Sequence, residues 1–138
     1  MNHPIRILLV DDSPHFLAAA RDFLHLQQSF RVIATAMDGG EAVKQSRLLE
    51  PDIILLDLNL ASKSGLDLIP TFKQHMPHTK IIVLTIMQDE PYRVAAMQAG
   101  ADAFVCKTEM SKKLISVIFE LTKTLTHNGE TPSMIEAR

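Results

Sequence analysis

The chain reads as an α/β domain: a doubly wound sheet of five parallel strands with helices on both faces. Three observations lead there. Five short apolar runs, Ile5 to Val10, Arg31 to Ala36, Asp52 to Leu56, Lys80 to Leu84 and Ala103 to Cys106, have the length of buried strands. Their near-continuous Ile, Leu and Val content, without polar alternation, is what a parallel sheet covered on both faces requires. Helical patterns fall between them, and right-handed crossovers then put helices on both faces.

The first helix is expected from Pro14, at its first turn after Ser13. Phe16, Leu17, Ala20 and Leu24, with Ala19, Phe23 and Leu26, recur there at threes and fours. Gly39 to Leu49, Ser64 to Lys73 and Pro91 to Gln98 supply three more helices, with Pro51 and Pro77 just beyond the second and third. Pro70 is expected to kink the third helix or delay its start, because proline past the first turn removes a helical hydrogen bond. The last helix is expected from Ser111 to near Leu125, with Leu114, Ile115, Ile118, Leu121, Thr122 and Leu125 on one stripe. Val117 and Phe119 fall off that stripe, as ordinary surface residues or as a partner contact. His127 to Arg138 lacks periodicity, so a domain over 4–126 is followed by a flexible tail or the start of a linker over 127–138.

At 138 residues and 46% hydrophobic content, one well-buried domain is expected. A formal charge of −2 gives no global field toward nucleic acid or a membrane surface, so any electrostatic function is local. Cys106 has no partner for an internal disulfide, and neither a signal segment nor a membrane-length apolar run is present. A soluble, cytoplasmic protein is the expectation. Lys112 and Lys113 open the last helix without forming a basic stripe, so no direct nucleic-acid contact is expected.

In a doubly wound sheet the ligand site gathers at the carboxyl ends of the strands. There the sequence places Asp11 and Asp12 after strand one, Asp57 after strand three, Thr85 after strand four and Lys107 after strand five. A strand ending in a polar turn residue is ordinary, so no one of these marks a site. Together they do. Three carboxylates on one edge repel unless a cation lies between them, and hard oxygen donors favour Mg²⁺. A carboxylate can attack phosphorus if the transferring charge is neutralised, which makes Asp57 the candidate nucleophile. Lys107 would bring a positive charge to the phosphoryl oxygens, and the Thr85 hydroxyl one hydrogen bond.

The blocks Leu8-Leu9-Val10-Asp11-Asp12-Ser13, Asp52-Ile53-Ile54-Leu55-Leu56-Asp57-Leu58, Val83-Leu84-Thr85 and Phe104-Val105-Cys106-Lys107 resemble the CheY-like receiver family of response regulators, over roughly residues 4 to 125. The resemblance implies a flavodoxin-like fold and a two-component switch phosphorylated by a histidine kinase or phosphotransfer protein. It implies Asp57 as phosphoacceptor, Asp12 as a direct Mg²⁺ ligand, Asp11 as a ligand often acting through water, and the Asn59 carbonyl as a further ligand. It makes Thr85 and Phe104 the switch pair, whose movement alters the surface around the fourth helix, fifth strand and fifth helix. A phosphorylation-dependent homodimer is the simplest expected output, with Val117 and Phe119 as candidate contacts. Phe30-Arg31-Val32-Ile33 followed by Asp38-Gly39-Gly40-Glu41-Ala42 resembles the NarL-type branch, whose members usually carry a helix-turn-helix domain after a linker.

Two loops depart from the family pattern. Ala61 stands where many receivers have proline, although Gly65 keeps its expected place, and Thr108 follows Lys107 where a cis proline is frequent. Phe104 in place of tyrosine keeps a ring but has no hydroxyl to bond. Cys106 reads as a small buried hydrophobe, and the six histidines show no paired ligand spacing and read as surface residues. A competing class is a phosphatase of the haloacid-dehalogenase type, but its nucleophile follows the first strand, and Asp11-Asp12-Ser13 lacks the Asp-x-Asp spacing. Another is an interaction module that ignores phosphate, which is favoured when the acceptor or the lysine is missing; here both are present.

Overall fold

The computed structural model describes residues 3–60, 64–87 and 89–123. Ala61, Leu125 and the tail from His127 lie outside the described residues. The strands are β1 (Ile5–Val10), β2 (Phe30–Ala36), β3 (Ile53–Leu56), β4 (Lys80–Thr85) and β5 (Ala103–Cys106). All pair in parallel, in the order β2-β1-β3-β4-β5. The helices are α1 (Pro14–Leu24), α2 (Gly39–Leu49), α3 (Leu68–His75), α4 (Glu90–Ala99) and α5 (Met110–Thr122). The bounds of β1, α2 and β5 are those expected, and other described bounds differ by one to a few residues, most at the start of the third helix.

Helix starts follow local chemistry. Ser13 accepts the Phe16 N–H at 3.1 Å, with Pro14 directly behind it, and Asp38 accepts the Glu41 N–H at 2.9 Å. A 3-10 turn over Gly65–Asp67 precedes α3, so the helix starts late and Pro70 falls in its first turn, where a missing N–H breaks no helical bond. The α2 helix closes on Glu50 in the left-handed region (φ 49°) and α4 on Gly100 (φ 119°).

Alternation along the strands splits the core in two. Leu8, Val10, Ile54, Leu56, Ile81 and Val83 face Ala42, Leu68, Ile69, Phe72 and Ala96, so α2, α3 and α4 cover one side. Ile7, Leu9, Ile53, Leu55, Ile82, Leu84 and Val105 face Leu17, Ala20, Leu24, Leu114 and Ile118 of α1 and α5 on the other. The strand order reverses between β1 and β3, and the crevice above their carboxyl ends is the switch point.

Val117 packs half-buried against the α1–α5 cluster, and the Phe119 ring lies 5.0 Å from that of Phe30. Phe104 packs against the opposite cluster. Thr85 pairs with Cys106 and Val83 with Phe104, so Thr85 and Phe104 share the α4 side of the sheet. The expected switch pair thus lies across the sheet from the two residues expected to read it out.

Candidate functional site

Asp11 and Asp57 follow adjacent strands at the switch point. Each is held by a ladder hydrogen bond one residue past its strand: the Asp57 N–H to the Val10 carbonyl at 2.9 Å, and the Asp11 N–H to the Ala36 carbonyl at 3.0 Å. Both residues are buried, at 3% and 6% exposure, whereas Asp12 opens toward solvent. One carboxylate oxygen from each of the three lies within 4.8 Å of the others.

Lys107, directly after β5, reaches across this cluster. Its Nζ lies 2.6 Å from Asp11 Oδ2 and 3.3 Å from Asp57 Oδ2. Asp11 Oδ1 accepts the Ser13 N–H at 2.9 Å, and Asp57 Oδ1 accepts the Asn59 N–H at 3.2 Å. Burial raises the Asp11 carboxyl above the usual carboxylate range, and the Asp57 charge adds to the rise. Its bonds with Lys107 and Ser13 oppose this but do not cancel it. Three carboxylates facing one ammonium leave a site short of positive charge. Hard oxygen donors with an open, partly solvated mouth suit Mg²⁺, which keeps several of its waters.

Beyond β3, Ser64 and Gly65 pack back against the backbone of Asp57 to Asn59. The Gly65 N–H donates to the Leu58 carbonyl at 2.7 Å, and Asn59 and Ser64 form an antiparallel bridge. A Cβ on Gly65 would sit 2.5 Å from the Asp57 carbonyl oxygen and 2.9 Å from Leu58 Cα. Glycine is required here by close backbone approach.

Thr85 is fully buried, and its Oγ1 accepts the Met87 N–H at 3.3 Å. Cys106 is half-buried rather than the core residue expected, with Sγ 3.2 Å from Thr108 Oγ1, because β5 is an edge strand. No described peptide bond is cis, Lys107–Thr108 included. The five described histidines are exposed, as expected. One contact had no sequence signal. The Phe16 ring lies beneath the Lys107 ammonium, 4.0 Å from Nζ to its centroid, although Phe16 reads only as part of a helical apolar stripe.

An acidic cluster crossed by one lysine at the switch point of a parallel sheet defines a class, the doubly wound α/β domains that carry their chemistry on the carboxyl edge. The chain belongs to the response regulator receiver domain family, whose model matches residues 7–119. Among curated proteins it is 33% identical over 115 residues to the nitrate/nitrite response regulator protein NarP of Escherichia coli, covering 83% of this chain and 54% of that one. It is 30% identical over 128 residues to the oxygen regulatory protein NreC of Staphylococcus haemolyticus, covering 92% and 57%. The chain thus spans about half the length of the curated relatives it matches. Among solved structures it resembles a two-component response regulator of the LuxR family from Aurantimonas, with a TM-score of 0.83 and 29% identity over 88% of this chain and 86% of the other. The signal receiver domain of a NarL from Mycobacterium tuberculosis shares the fold, with a TM-score of 0.82 and 22% identity over 88% and 98%. The relatives are regulators of the NarL and LuxR type, and this chain is a receiver domain of two-component response regulators.

Proposed function

We propose that Asp57 is the phosphoacceptor of this receiver and that Asp11, Asp12, Asp57 and the Asn59 carbonyl hold Mg²⁺ beside it. The observation that carries this reading is a buried Asp57 carboxylate at the switch point, flanked by two further carboxylates and 3.3 Å from the Lys107 ammonium. A carboxylate oxygen of Asp57 attacks phosphorus in the phosphohistidine of a kinase or phosphotransfer protein. The P–N bond breaks as the O–P bond forms, and the imidazole leaves with the bonding pair and takes up a proton. Water later attacks phosphorus, releasing inorganic phosphate and returning the carboxylate. When bound, Mg²⁺ would offset the charge of the carboxylates and of the phosphoryl oxygens.

Lys107 shifts from Asp11 and Asp57 toward the new phosphoryl oxygens, and the Thr85 hydroxyl, freed from the Met87 N–H, donates to one of them. The space that Thr85 leaves lies on the α4 side, where Phe104 can enter it. The apolar residues exposed on α4, Tyr92, Val94 and Met97, are therefore the output surface we favour, in place of Val117 and Phe119. A phosphorylation-dependent homodimer through that surface is the simplest output, and cytoplasmic action on a kinase's phosphohistidine follows from the same reading.

Incubation with acetyl phosphate and Mg²⁺, followed by intact mass spectrometry, tests the assignment. The parent is expected to gain one phosphoryl group and Asp57→Asn none. An Asp57→Asn variant modified at the parent rate would move the acceptor elsewhere.

A further inference from the structure

Among the described residues, three side chains lie against the Lys107 ammonium. Asp11 Oδ2 and Asp57 Oδ2 account for two, at 2.6 Å and 3.3 Å, and the face of the Phe16 ring takes the remaining side at 4.0 Å. The Lys107 side chain is 14% exposed, so the ring stands where water would otherwise solvate the charge. A cation over an aromatic face is attracted by the ring quadrupole, and more strongly when both are withdrawn from water.

The ring is placed by the same few residues that place the carboxylate opposite it. Ser13 Oγ accepts the Phe16 N–H at 3.1 Å, and the Ser13 N–H donates to Asp11 Oδ1 at 2.9 Å. One helix cap thus fixes both an anionic and an aromatic wall around the ammonium. The ring is also packed against the α1–α5 core cluster, which limits its freedom to turn away.

We propose that Phe16 is a positioning residue for Lys107, its ring holding the ammonium between Asp11 and Asp57 so that the charge is already in place when phosphoryl oxygens arrive. The proposal rests on Asp57 being the phosphoacceptor. Phe16 acts only through Lys107. Without the ring the ammonium turns to water and must be reordered at each encounter, which slows transfer. Mg²⁺ binding uses the carboxylates and is left nearly unchanged.

Phe16→Leu keeps an apolar side chain and removes the ring, whereas Phe16→Tyr restores the ring face. Both are compared with the parent in the full chain by three readouts: the phosphorylation rate from acetyl phosphate at saturating Mg²⁺, the Mg²⁺ affinity, and the ¹H–¹³C NMR resonances of the Lys107 ε-methylene. The parent and Phe16→Tyr are expected to show ring-current-shifted ε protons, and Phe16→Leu to lose the shift. The rate should fall about 3- to 10-fold in Phe16→Leu and return to within about twofold in Phe16→Tyr, with Mg²⁺ affinity held within about twofold throughout. Unshifted ε protons in the parent, a parent-like rate in Phe16→Leu, or a Phe16→Tyr as slow as Phe16→Leu would each overturn the proposal. If Phe16→Leu proves unfolded by thermal melting, the parent resonance and the Phe16→Tyr rate still decide. A parent that gains no phosphoryl group overturns the phosphoacceptor reading, and the proposal with it. That failure is told apart by its presence in the parent, where a failure of positioning alone leaves the parent active.

Discussion

Replacing Gly65 with alanine should damage both the fold and the chemistry, because the new methyl has nowhere to go. Its carbon would lie 2.5 Å from the Asp57 carbonyl oxygen and 2.9 Å from Leu58 Cα, almost an ångström short of ordinary contact at the first. Both neighbours are backbone, so no side chain can rotate away and the loop itself must shift. Such overpacking costs about 1–3 kcal/mol, and the lower entropy of the unfolded alanine chain offsets about 0.4–1 kcal/mol of it. A net loss of about 1–2 kcal/mol is expected, at about 3–5 °C of melting temperature per kcal/mol for a domain of this size. The displaced atom belongs to Asp57, the proposed acceptor, and a misplacement approaching 1 Å is worth up to about 100-fold in rate. Thermal unfolding and the phosphorylation rate from acetyl phosphate give the two readouts. Gly40→Ala is the matched control: its Cβ meets only Asp38 Oδ1 at 3.5 Å, ordinary contact on a helix, so the variant should be as stable as the parent or gain up to about 1 kcal/mol. A Gly65→Ala protein that melts and reacts like the parent would refute the steric argument.

Two further outcomes are expected. Burial raises the Asp11 carboxyl above its unfolded value, so the folded state binds that proton more tightly than the unfolded chain does. The metal-free protein should therefore gain stability from this group as pH falls through the raised value, and Mg²⁺, which competes with the proton, should bind more weakly there. Asp11→Asn should melt higher than the parent at neutral pH and lose that part of the pH dependence, as calorimetric scans across the acid range would reveal; a lower neutral-pH melting point would contradict the sign. Lys73 Nζ donates to Asp102 Oδ2 at 2.7 Å and to the Thr79 carbonyl at 2.9 Å, while Asp102 Oδ2 also accepts the Ile81 N–H at 2.9 Å, tying α3 to the amino ends of β4 and β5. Lys73→Met should cost about 1.5–3 kcal/mol in urea unfolding, and an unchanged midpoint would show the clasp to be idle.

Much of this protein was legible before folding was considered. Five runs of Ile, Leu and Val, too short for helices and too continuous for half-exposed strands, demand a parallel sheet buried on both sides. Ser13 and Asp38 announce helix starts because a side-chain oxygen is what orphan N–H groups need. The order of elements then forces Asp11, Asp12, Asp57, Thr85 and Lys107 onto one edge, since every parallel strand ends on the same side. The rest depended on distances between residues far apart in the chain. Lys107 meets Asp11 more closely than Asp57, and no spacing encodes that preference. Gly65 is favoured because of a carbonyl eight residues earlier, and although the family pattern marks the position, nothing in the sequence tells what a side chain there would strike. Phe16 belongs to a helical stripe that looks like core at every position, and only the reach of Lys107 from the end of β5 across the carboxyl edge brings an ammonium over its ring. Val117 lies off the helical stripe yet packs half-buried against the α1–α5 cluster, and Phe119 meets the Phe30 ring yet stays 39% exposed, because a helix's neighbours and not its own periodicity settle how far each apolar residue is covered. Backbone pattern is local and periodic, and so it survives in a one-dimensional string; side-chain contact is set by how separate elements dock, and so it does not.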